Sequence, residues 1–177
     1  MDDITNQLWD CRWPDPIAIQ VAADRILATR PIDDPALNRK MRVYVRPDHP
    51  GMPEDPTSAI LVTPWAVERV YWNPPEQTPA LIHVAPLNVD EEGRIAAGQG
   101  VMLETSTRTI PVLIAWEPEA GHHFIETLLH SVRDYESPEQ AIAAIQGEEP
   151  PPSAKKSLSQ HMEKQISRRG LFGFLDR

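Results

Sequence analysis

The chain has 177 residues, a formal net charge of −9, an apolar share of 41%, nineteen prolines and one cysteine. That length suits one domain with or without a tail, and the prolines disfavour a helical bundle in favour of short elements joined by stiff loops. The acidic balance excludes a general nucleic-acid binder, and a lone Cys11 excludes an intrachain disulfide and a Cys-based zinc site.

The charge is unevenly spread. Residues 153–177 carry six basic side chains against two acidic ones, so the rest of the chain holds −13. Met1-Asp2-Asp3-Ile4 offers neither a basic nor an apolar leader, and no apolar run is long enough to span a bilayer. The expectation is a cytoplasmic protein without membrane insertion.

Residues 1–14 read as a loose acidic arm carrying Trp9 and Trp13, which either packs back on the body or stays free. Asp15-Pro16 is an N-cap followed by proline at the first helical position, and Ile19, Ala22, Ala23 and Ile26 predict an amphipathic helix through Thr29. Met41–Arg46 alternates like a half-buried strand.

Ala59–Val62 reads as a buried strand stopped by Pro64. Thr63 as cap and Pro64 at the first position predict a short helical turn carrying Trp65, and Arg69–Trp72 leaves it as another strand until Asn73-Pro74-Pro75. Trp65 and Trp72 are either core or the wall of a groove for an apolar peptide.

Ala80–Ala85, Gly100–Glu104, Ile110–Trp116 and His122–His130 continue as an antiparallel meander. Ser137-Pro138-Glu139-Gln140 is a capping box opening a helix that ends at Gly147. The expected fold class is therefore α+β: a mainly antiparallel sheet with an N-terminal and a C-terminal helix. The domain spans 15–147, residues 148–165 form a flexible linker, and residues 166–177 form a basic-apolar tail.

The signals for an enzyme are few. His122 and His123 are adjacent, so on a strand they point to opposite faces and cannot share a metal. A metal-dependent enzyme would need His83, His122 and Glu126 to meet across the sheet, and nothing in their spacing demands it. No phosphate-binding glycine loop or nucleophile elbow is present. Cys11 beside Arg12 has a setting that can lower a thiol pKa. Neither a resident metal nor another cofactor is expected. Ser167-Arg168-Arg169-Gly170-Leu171-Phe172 looks like a twin-arginine export signal, yet only eight residues follow Arg169, too few for the apolar segment such signals need. It reads instead as a docking peptide, as a plug that folds back on the acidic body, or as a solvated basic end.

Ile60-Leu61-Val62-Thr63-Pro64-Trp65, followed by an apolar strand and a proline, resembles the core motif of nickel–iron (NiFe) hydrogenase assembly chaperones of the HybE/HupJ type. Ala97-Gly98-Gln99-Gly100-Val101-Met102-Leu103 is similar to that family's small-residue turn into a strand, and the Arg168-Arg169 tail is similar to the arginine pair on many members. The chain departs from the pattern at Glu126–Val132 and lacks a rubredoxin-like module. The resemblance implies a non-enzymatic maturation factor that binds an immature hydrogenase subunit, or its twin-arginine signal peptide, until the metal cofactors are in place. The contacts it implies are Thr63, Pro64, Trp65 and Trp72 on the body, and Arg168, Arg169, Leu171 and Phe172 on the tail. A second reading is an adaptor for another redox complex that docks through the tail.

Overall fold

The computed structural model describes residues 9–12, 14–48, 56–73, 79–82 and 86–148. The linker and tail beyond residue 148, with Arg168, Arg169, Leu171 and Phe172, lie outside these residues, as does His83.

Helix α1 (Pro16–Thr29) begins where its sequence dictates, with the Asp15 carboxylate accepting from the Ile17 N–H and Pro16 at the first position. It buries Ile19, Ala22 and Ala23. Seven strands follow: β1 (Tyr44–Pro47), β2 (Thr57–Val62), β3 (Val67–Trp72), β4 (Leu81–Ile82), β5 (Gly100–Glu104), β6 (Thr109–Glu117) and β7 (Gly121–Leu129). Helix α2 (Pro138–Ile145) closes the described chain. Ser137 caps it by accepting from the Gln140 N–H, but the Gln140 side chain reaches past the cap to the Glu136 N–H. At the other end Gly147, at φ +74°, lets its own N–H and that of Glu148 return to the Ala144 and Ala143 carbonyls, a Schellman ending.

The strands form one antiparallel sheet in the order β1-β2-β3-β7-β6-β5-β4. The connection after β3 carries the chain to the far edge, and the meander β4–β7 returns it to pair with β3. This is the expected α+β architecture, with both helices in their expected places.

Alternation assigns the faces. Ala59, Leu61, Val70 and Trp72 point to one face and pack with Ile19 and Ala23 of α1. Ile60 and Val62 point to the other and pack with Ala141 and Ile142 of α2, next to Val67 and Val132 at the β2–β3 corner. On that second face Val101, Leu103, Ile110, Val112, Ile114 and Phe124 are closed over by Ile95 and Trp9.

Three expectations are corrected. The corner is a hairpin loop and not a helical turn: Val62 pairs with Val67, leaving Thr63–Ala66 as a four-residue connection. The Thr63 hydroxyl that was expected to cap a helix instead accepts from the Ala66 N–H and donates to the Ala66 carbonyl, both at 3.1 Å. Trp72 is no groove wall: at 1% exposure it lies under α1, because its parity on β3 matches Val70. Residues 9–12 are not loose. The His122 N–H donates to the Asp10 carbonyl, the Asp10 N–H donates to Nδ1 of the His122 ring, and Trp9 stacks on His122 and Phe124. Gly121 makes room for this strap, since a Cβ there would lie 2.6 Å from the Asp10 carbonyl oxygen.

Candidate functional site

The face that α1 covers over β1–β3 continues past the helix over β7 from Ile125 onward and over β6, β5 and β4, where Leu113, Met102 and Ile82 stay exposed. The residues alternating with the buried set on these strands are themselves apolar. Ile82 is 49% exposed, Met102 36% and Leu113 47%, and with Pro111 and Ile125 they floor a shallow trough of about 510 Å³. The register makes this row continuous: Ile82 pairs with Met102, Met102 with Pro111, and Leu113 with Ile125.

Thr127, two residues along β7 from Ile125, belongs both to this trough and to a second hollow of about 400 Å³. The second hollow is bounded by Trp65, Glu68, His130 and Arg133. A bulge shapes it: Val67 pairs with Leu129 but Glu68 pairs with Thr127, so the strand turns where Glu68 is presented. The Glu68 carboxylate has no hydrogen-bond or ionic partner among the described residues, and burial pushes its pKa above the ordinary carboxylate value. The Trp65 ring, partly exposed, already carries the Arg30 guanidinium 4.7 Å from its centroid. Arg133, which also borders the hollow, donates to the Pro35 carbonyl. The whole surface is therefore bipartite, an aromatic hollow with the Glu68 carboxylate in its wall leading into an apolar trough.

No protein-family model, curated protein or solved structure matches this chain.

Of the residues expected on the body, only Trp65 borders this surface. Thr63 is fully buried and holds the hairpin loop, Pro64 is buried beside it, and Trp72 is core. The residues that complete the surface, Glu68, Thr127 and the row from Ile82 to Ile125, were not singled out from the sequence. A signal for the row was available: Val101-Met102-Leu103 and Ile110–Ile114 are unbroken apolar runs, as expected of strands with apolar surroundings on both faces.

Of the histidine set, His83 lies outside the described residues, and His122 and Glu126 do not converge. The ring nitrogens of His122 are both engaged, Nδ1 accepting from the Asp10 N–H at 2.7 Å and Nε2 donating to the Ile95 carbonyl at 2.8 Å. Glu126 lies on the same face of β7, but four residues away, about 13 Å along a strand. There it accepts from Tyr71 and pairs with Arg69. Among the described residues no group of three or more His, Cys, Asp or Glu stands close enough to hold a metal ion. The Cys11 thiol departs from expectation as well: burial, then the Asp10 carboxylate, push its pKa up, while Arg12 is paired with Asp10.

Proposed function

We propose that this protein is a non-enzymatic assembly chaperone or adaptor that holds an immature subunit of a twin-arginine-exported metalloenzyme, foremost a nickel–iron hydrogenase, in the cytoplasm until cofactor insertion is complete. The observation that carries the reading is the bipartite surface, with a carboxylate that has no partner among the described residues beside an indole at one end and an apolar floor at the other. A twin-arginine signal has the complementary order, guanidinium groups followed by an apolar run. Glu68 offers a charge-assisted bond to a guanidinium beside the Trp65 indole, and the apolar row from Ile125 to Ile82 offers apolar burial. Recognition of this kind needs no catalytic group, and no helix among the described residues is long and apolar enough to cross a membrane.

The test is co-purification with a tagged hydrogenase subunit carrying its signal, alongside titration of the labelled signal peptide. The expected result is capture of the immature subunit but not of the processed one, with peptide affinity reduced at least tenfold by Glu68→Gln and by Leu113→Asp. Equal capture of processed and unprocessed subunits overturns the signal as the recognised element.

A further inference from the structure

The trough is wide, apolar and open, and the chain itself carries a segment of matching chemistry. We propose that residues 168–175 of this same chain occupy it, with Arg169 at Glu68 and Trp65, and Leu171, Phe172, Phe174 and Leu175 laid toward Leu113, Met102 and Ile82. The proposal rests on the reading of this surface as a peptide-binding site, and it adds the device that regulates access.

Three observations point to this occupant. The first is adjacency. Arg168-Arg169 adjoins Leu171-Phe172-Gly173-Phe174-Leu175 in the sequence, as the hollow that holds Glu68 adjoins the apolar floor on the surface through Thr127. The second is the direction of approach. Helix α2 packs at the corner end of the sheet, against Val62 and Val67, the two residues that flank the Thr63–Ala66 loop. A chain leaving α2 and rounding that loop meets Trp65 and Glu68 first and the apolar row afterwards, so the basic pair arrives where the carboxylate is.

The third is length. Nineteen residues separate Glu148 from Arg168, and a coil of that length spans about 24 Å root-mean-square, enough to pass from one face of a sheet to the other. From Glu68 on β3 to Met102 on β5 is three strand spacings, about 14 Å, and to Ile82 on β4 about 19 Å. Residues 169–175, extended, cover about 20 Å.

Tethering sets the strength. A coil of that length would hold its peptide at an effective concentration on the order of 1 mM. A segment that binds in trans with a dissociation constant of about 100 μM would then keep the trough closed about ten times in eleven. A competing signal peptide would bind about tenfold more weakly than to the open surface.

The experiment uses the full chain. A photo-crosslinking benzoylphenyl side chain is placed at Phe174, and the crosslinked peptides of the monomer band are mapped by mass spectrometry. In parallel, a labelled peptide of residues 167–176 is titrated against the unaltered chain and against Phe172→Asp with Phe174→Asp. The expected result is an intrachain crosslink to residues 100–114 and peptide binding about tenfold tighter in the double variant. Adding Leu113→Asp to the double variant should abolish that gain; should Leu113→Asp fail to fold, Glu68→Gln in the same background should reduce it. Crosslinks between copies, scattered crosslinks, or equal peptide affinity for both chains would overturn the proposal. The two readings fail separately. A client signal that binds the double variant while Phe174 never reaches the trough removes the plug and leaves the chaperone. A plug found in place, with no client signal bound by the double variant, does the reverse.

Discussion

At the scale of single residues, Glu68 is the position where stability and recognition pull apart. Burial raises its pKa, and no ion pair among the described residues offsets the cost. The folded chain therefore holds that proton more tightly than the unfolded chain does, and its contribution to stability falls as pH rises from the unfolded value through the folded one. Glu68→Gln removes this loss while keeping the shape. The expected outcome is a higher urea midpoint at pH 7 together with binding of an Arg-Arg peptide weakened tenfold or more, since losing one partner of a desolvated charge pair costs about 2–5 kcal/mol. A residue kept only for packing gives no such opposition. A lower midpoint with unchanged binding would return Glu68 to a purely structural part. Trp65 and Trp72, alike in the sequence, separate for an equally local reason: strand parity puts Trp72 beneath α1, while the hairpin loop leaves Trp65 at the rim.

At the scale of elements, the loop of the β2–β3 hairpin is closed by the Thr63 N–H on the Ala66 carbonyl and by the Thr63 hydroxyl. Thr63 is fully buried, and its Oγ1 satisfies the buried Ala66 N–H. Thr63→Val keeps the volume and removes that acceptor, so it should cost about 1–3 kcal/mol, the penalty for a buried donor left without a partner. Urea unfolding measures the loss, and hydrogen exchange at Ala66 should quicken with it; a valine variant as stable as the parent would show that the hydroxyl does not hold the loop. The same residue shows what the sequence can and cannot convey. Asp15-Pro16 and Ser137-Pro138 are caps whose partners lie within a few residues, and the strand runs carry their own periodicity, so both helices and most of the sheet were legible. Thr63-Pro64 fits a helix cap and a hairpin loop equally well, and only the pairing of Val62 with Val67 decides between them. The trough was less legible still, because it exists only once β7 has returned to lie between β3 and β6, bringing Glu68 beside Thr127 and Leu113 beside Ile125.

At the scale of the whole molecule, two accounts of acid stability oppose each other. The chain carries −9 at neutral pH and has a sequence pI near 5.1, so relief of self-repulsion alone would make the fold firmer on acidification toward pH 5. The buried imidazoles act the other way. His123 is 3% exposed, and burial pulls its pKa down to about 4, against the 6.5 of a free side chain; the Gly121 carbonyl at its Nδ1 offsets this only in part, and His122 nearby adds to it. Burial shifts His122 in the same direction. Between about pH 6.5 and 4 the unfolded chain thus binds more protons than the folded one, and stability must fall as pH falls, by about 1.4 kcal/mol per unit for His123 alone. The carboxylates held below their ordinary values, such as Asp10 and Glu119, begin to contribute only at lower pH. Glu68 opposes the trend, since its raised pKa makes acidification favourable. With two imidazoles against one carboxyl, the buried histidines should prevail. Urea midpoints at pH 6.5 and pH 5.0 are expected to show a net loss on the order of 2 kcal/mol, and His123→Leu should flatten that slope. A midpoint that rises toward pH 5 would mean that net charge, and not the neutral burial of this histidine pair, governs the fold in acid.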